Sequence, residues 1–388
     1  VRLPVYRPYA ADPARAGQDA AMLGAAAAGA RTAFRVPEEA RAVDLVHDLA
    51  LGRLTDDPGH GGTDCADFAA RFAQTASALH AKSVEDTAFY RYPVLLSACE
   101  VGGAPGEPAL PPEAFHAYCA RVQRDRPASG TVLSTHDTKR SADVRARIAV
   151  LSECPDRWRD ALGAMADGAV CDVGTGGADG AGPADPMVSW LAWQTAFGLG
   201  APGDGSAAER VAPAVLKAVR ESGLRTSWTE PNAAYEEAVE EFVRNGPCGP
   251  TAAPLAALDA EVAPFVRANV LGATLLHLTM PGVPDLYQGT ELAYAALVDP
   301  DNRRPASFRP EELAELDAGT APRDLSAEKL RITATALRLR RESPHWFGAT
   351  ATYEPVYAEG PAAEHCVAFC RSGRALTVVT RLSLRLGG

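Results

Sequence analysis

The chain has 388 residues, 47% of them hydrophobic, with 38 basic against 49 acidic side chains and a net charge of −11. That length predicts two or three domains, or one large barrel with insertions. The excess of acid argues against nucleic acid or an anionic membrane as partner and suits a neutral polyol, while no run of about 20 apolar residues predicts a membrane span.

Taken in chain order, residues 1–9 read as a short strand, and Val1-Arg-Leu-Pro-Val-Tyr6 is neither a signal peptide nor a natural initiator. Helical periodicity follows over Ala16–Ala28 and Pro37–Leu51, and again over Thr63–Lys82, where Phe68, Phe72, Thr75 and Leu79 recur at spacings of three and four. Thr131–Thr135 is an apolar run that ends in His136-Asp137, with a helix over Arg140–Glu153 straight after it. This is how a barrel strand delivers polar side chains to its C-terminal mouth, where (β/α)8 enzymes keep their active sites. Gly163–Pro186 is rich in Gly and Asp and predicts a loop. Met187–Leu278 is mostly helical, including Glu209–Ser222, Pro231–Arg244 and Leu255–His277, with Trp190, Trp193 and Trp228 expected mainly in its core. Val283–Tyr287 predicts a third strand, Ala327–Ser343 a helix, and the alternation in 349–386 a small antiparallel sheet.

Eight cysteines, at 65, 99, 119, 154, 171, 248, 366 and 370, form no CxxC pair and have no His cluster beside them, so no zinc site is predicted. In a large chain without a secretion signal they are expected to be reduced, in a cytoplasmic setting.

A carboxylate at a barrel mouth can hold a sugar hydroxyl and steady an oxocarbenium ion, which makes Asp137 the first candidate. The plain alternative is an Asp that caps the following helix. Glycoside chemistry needs two further carboxylates, one nucleophile and one acid/base, and neither is evident in these 388 residues. His136 is placed to donate to a sugar hydroxyl. Lys139 and Arg140 sit near enough to the strand end to reach substrate, whereas Arg145 and Arg147 read as a solvated helix face. Lys82, Glu85, Phe89 and Tyr90 mix charge with aromatics, as sugar sites do, although Phe89 also fits a core. Tyr287 follows the third strand. Asp301 and Arg303 lie in the polar loop Val298-Asp-Pro-Asp-Asn-Arg-Arg-Pro305, which reads equally as a salt-bridged turn.

Five blocks, in one order, resemble those of maltooligosyl trehalose synthase, a member of the α-amylase superfamily. They are Lys82–Tyr92, Ser134–Ile148, Arg225–Glu236, Met280–Glu291 and Val298–Pro305, with Ser83 where the family carries Gly and Ala293–Leu297 where Trp and Asp are expected. The resemblance implies an α/β fold: a partial (β/α)8 TIM barrel, last strands only, with an inserted helical subdomain and the start of a C-terminal β-sheet domain. The implied organisation is barrel with helical insertions over 1–162, helical subdomain over 163–278, last barrel strand and loop over 279–325, and barrel-end helix and β domain over 326–388. Asp137 would be the third carboxylate, and the remaining strands, the nucleophile and the acid/base are expected before Val1. The implied reaction converts the reducing-end α-1,4 bond of a maltooligosaccharide to an α,α-1,1 bond, with no metal or organic cofactor. An inactive or merely sugar-binding remnant, and an α-amylase-type hydrolase, are the alternatives; general amylases lack the Lys82 and Arg225 blocks.

Overall fold

The computed structural model describes residues 3–9, 16–53, 62–170, 186–200 and 206–387. The chain divides into two compact units, Val1–Arg91 and Tyr92–Gly388.

In the first unit α1 (Ala16–Arg31) packs on α2 (Pro37–Ala50), and α2 on α3 (Gly62–His80). Pro37 opens α2 with no N–H to waste, and Glu38 and Glu39 face the positive end of the helix dipole. Phe68 and Phe72 stack with centroids 6.3 Å apart, as their spacing predicts, whereas Leu79 is exposed. α3 runs on into a π-helical stretch, Ala81–Ala88, and a last turn, α4 (Phe89–Arg91). Residues 3–9 do not form the expected strand. Pro4 and Pro8 each remove a ladder donor. Tyr6 instead sets its ring edge-on to His80 and donates its hydroxyl to Glu85.

The second unit opens with α5 (Pro112–Asp125), β1 (Gly130–Thr131) and α6 (Ala142–Val150), which a 3-10 turn extends to Glu153. The helices α7 (Pro155–Val170), α8 (Pro186–Leu199), α9 (Ala207–Ser222), α10 (Ala233–Asn245) and α11 (Ala253–Thr279) follow. The expected loop over 163–186 is corrected over its first part, because 163–170 complete α7; residues 171–185, with Cys171, lie outside the described residues. Buried Trp158 and Met165 anchor that helix, which outweighs the roughly 1 kcal/mol a helical glycine costs.

α11 organises this unit. Its 27 residues span about 40 Å, and it packs against α6, α7 and α13 (Leu325–Glu342) and against the C-terminal sheet. Leu258, Val262, Val266 and Val270 form a buried stripe at intervals of four. α8 is apolar all round and buried along most of its length between α6 and α9. Gly198 permits the close approach: a Cβ there would lie 2.6 Å from Ile148 Cδ1 and 2.9 Å from Val144 Cγ1.

The predicted barrel strands 131–135 and 283–287 pair in parallel over two residues each, β1 with β2 (Val283–Pro284), in the register Gly130 to Val283 and Thr131 to Pro284. Val283 N–H donates to Ser129 O and Asp285 N–H to Thr131 O, and beyond them the hydroxyls of Thr135 and Thr138 take over the backbone bonding on the β1 side. His277 at the end of α11 donates from Nε2 to Thr131 O, 2.8 Å away, and burial pushes its pKa down, which keeps it a neutral donor. Arg340 of α13 donates to Leu278 O and Gly282 O. Gly282, at φ +114°, has no alternative: a Cβ would meet Thr131 Cγ2 at 2.8 Å.

After a short α12 (Pro310–Asp317) and α13, the strands β3 (Tyr353–Val356), β4 (Cys366–Arg371) and β5 (Ala375–Thr380) form the expected antiparallel sheet, with β4 central. β5 alternates: Thr377 and Val379 are buried while Leu376 and Val378 face out. A last short helix, α14 (Ser383–Gly387), packs on α11. Cys99, Cys119, Cys154, Cys248, Cys366 and Cys370 are free thiols. Among the described residues no helix is long and apolar enough to cross a membrane.

A polar bond holds α9 to α10. Arg220 donates to both oxygens of Glu236, at 3.0 and 2.6 Å, and Thr226 donates to Oε1 at 2.6 Å. These bonds hold the Glu236 carboxyl down at about 2, against an ordinary 4.5. The unfolded chain therefore binds the extra proton between those values, so the stabilisation is complete above pH 4.5 and is lost as pH falls towards 2. The shift alone converts to roughly 3 kcal/mol; solvent around Arg220 reduces this to about 1–2 kcal/mol. Urea unfolding between about pH 6 and pH 3 should show that loss in the wild type, and Glu236→Gln should flatten it by the same amount.

Candidate functional site

His136 and Asp137 sit at the tip of a turn built by its own hydroxyls. Thr135 Oγ1 accepts from the N–H of Asp137 (3.0 Å) and of Thr138 (3.2 Å), while Thr138 Oγ1 donates to Thr135 O. Both side chains are exposed, and the Asp137 carboxylate makes no hydrogen bond or ion pair among the described residues. Asp137 therefore does not cap α6. That task falls to Ser141, whose Oγ accepts from Val144 N and from Ala296 N and donates to Tyr294 O.

Two buried side chains clamp this turn from beneath. Asn302, 2% exposed, directs Nδ2 at three carbonyls: His136 O at 2.8 Å, and Thr135 O and Thr138 O at 3.3 Å each. Its own backbone carbonyl accepts from the hydroxyls of Tyr287 and Tyr294, both at 3.0 Å. On the far side Glu100, 4% exposed, takes the N–H of Lys139 on Oε1 (2.7 Å) and of Arg140 on Oε2 (3.0 Å), and Val101 N–H also donates to it. Arg145 Nη1 lies 3.9 Å from the same carboxylate. Burial lowers the pKa of Arg145, and the charge of Glu100 opposes that. Burial also pushes the neighbouring Cys99 thiol up to about 11, against the attraction of Arg140.

The predicted site residues are thus sorted by the structure. His136 and Asp137 point to solvent. Lys139 and Arg140, read from sequence as reaching substrate, are buried, and Arg140 Nε and Nη1 have no partner among the described residues. Arg145, read as a solvated face, instead turns inward and donates to Leu133 O. Tyr287 is half-buried and supports the turn through Asn302 rather than standing free. Asp301 is held by Arg210 through two bonds (2.8 and 2.7 Å) and by Leu297 N–H (2.7 Å), and Arg303 pairs with Asp299, so the loop is the salt-bridged turn. Lys82, Glu85, Phe89 and Tyr90 belong to the first unit: Lys82 is exposed and pairs with Asp86, whereas Glu85, Phe89 and Tyr90 are buried. Asn302 and Glu100 were not singled out from sequence. Asn302 stood in view within the polar loop; Glu100, followed by Val-Gly-Gly, carried no local signal at all.

A cleft of about 220 Å³ opens behind the Asp301 loop, between Arg210, Tyr294, Arg304 and Ser326. It includes neither His136 nor Asp137 and falls below the roughly 300 Å³ at which small-molecule sites begin. Unlike the cleft, the His-Asp turn presents a carboxylate and an imidazole that are both exposed. No group of three or more His, Cys, Asp or Glu side chains suited to a metal occurs among the described residues.

No known family profile matches the chain. It is 42% identical, over 322 residues, to proteins from two strains of Mycobacterium tuberculosis that are provisionally named maltooligosyl trehalose synthase. The structure of maltooligosyltrehalose synthase from Arthrobacter ramosus superposes on all of the chain with a TM-score of 0.83 and 38% identity. The chain is homologous to part of maltooligosyl trehalose synthase. The match covers 82% of this chain and 39% of the M. tuberculosis proteins, and 47% of the A. ramosus chain, so it spans less than half of those relatives. Over that part the fold resembles that of the A. ramosus synthase.

Proposed function

We propose that this chain supplies the sugar-orienting half of a maltooligosyl trehalose synthase site, with Asp137 as the carboxylate that holds glucose hydroxyls and His136 as a donor to the same ring. One observation carries the reading: in a chain homologous to part of a synthase, the His136 and Asp137 side chains are exposed and make no ion pair among the described residues, yet their turn's backbone is clamped from both sides. A site needs such rigid support under a free functional group. The short parallel pair beneath the turn is read as part of a barrel seam.

The reaction proposed is a retaining rearrangement. A carboxylate nucleophile attacks C1 of the penultimate glucose, the C1–O4 bond breaks, and an acid gives its proton to O4 of the departing glucose. That glucose turns in place, and its anomeric hydroxyl attacks C1, returning a proton and expelling the carboxylate. The product carries an α,α-1,1 bond, and no water is consumed, so exclusion of water decides between rearrangement and hydrolysis. The nucleophile and the acid/base are read as lying outside these 388 residues, in the part of the synthases that this chain does not match.

Calorimetric titration of maltopentaose tests the division of labour. The chain should bind it, and Asp137→Asn and His136→Ala should each weaken binding by about tenfold, or about 1.4 kcal/mol. Wild-type affinity in Asp137→Asn sinks the reading. So does loss of reducing ends with the chain alone, since that requires a nucleophile and an acid within it.

A further inference from the structure

The Arg225–Glu236 block takes no part in the His-Asp turn, and the structure does something unusual with it. Trp228, expected in the core, is 56% exposed. It stands at the tip of a turn between α9 and α10 that is closed twice at its base: Ser227 N–H donates to Glu230 O (3.1 Å), and Glu230 N–H to Ser227 Oγ (2.9 Å). Beneath the tip the buried Thr226 hydroxyl accepts from Asn232 N–H (3.0 Å) and donates to Glu236, which the Arg220 guanidinium grips with two bonds. The same guanidinium lies 4.9 Å from the centre of the Trp228 ring. A cation over one face leaves the indole fixed and its other face available. So much polar bracing holds a large apolar ring in water, where by its own preference it would turn inward.

We infer that Trp228 is a stacking platform for a pyranose ring of an α-1,4-linked glucan, a second sugar contact distinct from the His-Asp turn. This rests on the reading of the chain as part of a maltooligosaccharide-acting protein. The shape of the surface favours sugar. A pyranose has one apolar C–H face and a rim of hydroxyls, which fits a single exposed indole beside the Arg220 guanidinium on a turn that also carries Ser227, Thr229 and Glu230. A protein partner needs something broader, about 800 Å² per side with a contiguous apolar centre. Here only Leu224 among the large apolar residues of the turn joins Trp228 at the surface. The platform would hold a glucan by a unit away from the reacting bond and so favour longer chains over short ones.

Electrophoresis of the 388-residue chain through gels with and without soluble amylose tests this. Wild type should be retarded by amylose, Trp228→Ala should be retarded clearly less, and Trp228→Phe should fall between. Because the ring is exposed, both Trp228 variants should keep the wild-type melting curve by circular dichroism, which separates loss of binding from loss of fold. Equal retardation of wild type and Trp228→Ala, or no retardation of wild type, overturns the proposal. A concentration-dependent dimer lost in Trp228→Ala, without retardation, would assign the surface to a second copy of the chain and overturn it as well. Failure of the parent reading shows elsewhere, as wild-type affinity of Asp137→Asn for maltopentaose, and leaves the Trp228 comparison intact.

Discussion

Asn302→Asp should destabilise the second unit by about 3–5 kcal/mol in urea titration at neutral pH, and it should abolish binding at the His136–Asp137 turn. The magnitude follows from what the amide faces. Nδ2 donates to three backbone carbonyls within 3.3 Å. A carboxylate of the same shape presents lone pairs to those three oxygens in a nearly waterless pocket, which amounts to a buried charge with no partner. Asn302→Ala makes a control: it removes the donor without adding charge and should cost less, about 2–3 kcal/mol, chiefly from carbonyls left unsatisfied. An Asn302→Asp variant as stable as wild type would mean that the turn does not depend on this amide. The tyrosines that hold Asn302 in place, Tyr287 and Tyr294, bind its backbone carbonyl and would be unaffected by either change.

Glu100→Gln should be as damaging, again about 3–5 kcal/mol, by the opposite error. Here the pocket is lined with donors: three backbone N–H groups point at the carboxylate, and Arg145 Nη1 lies 3.9 Å from it. Glutamine keeps the shape but turns one oxygen into a donor, so at least one N–H meets an N–H. It also removes the negative charge that faces the Arg145 guanidinium. The denaturant midpoint should fall with the slope unchanged, as for a loss of stability without change of fold. A shift below about 1 kcal/mol would show that Glu100 serves shape rather than charge. Since the two residues grip opposite ends of one turn, their effects should be less than additive in the double variant.

Much of the helical frame was legible because it obeys local rules. The stripe on α11, the Pro and acidic residues that open α2, and the alternation of β5 each mark their element without reference to anything distant. The His-Asp pair was legible for a different reason: a short apolar run that ends in two polar residues is a recognisable junction. The expected strands 131–135 and 283–287 were over-read. Apolar character alone predicts a strand, but its length is decided by which backbone groups find partners, and after Thr131 the threonine hydroxyls take the backbone bonds that a longer ladder would need. Trp228 misled in the same way. Apolar content predicted burial, whereas the bonds from Arg220, Thr226 and Asn232 determine the path of the turn that exposes it.

The sequence by itself determined most of the helices (though not α5, α7 or α12), where the antiparallel sheet lies, and that a carboxylate and an imidazole are adjacent in the chain at 136–137. It also determined the resemblance, since that is carried by blocks of adjacent residues. Only the tertiary structure decided what holds that pair in place. Glu100 lies 37 positions before Asp137 and Asn302 lies 165 after it, and nothing local tells either side chain to bond the turn at 135–140. Their value comes from low-dielectric burial against particular N–H and C=O groups, where one hydrogen bond made or missed weighs far more than in water. Such an interaction exists only once distant stretches of chain have been brought together.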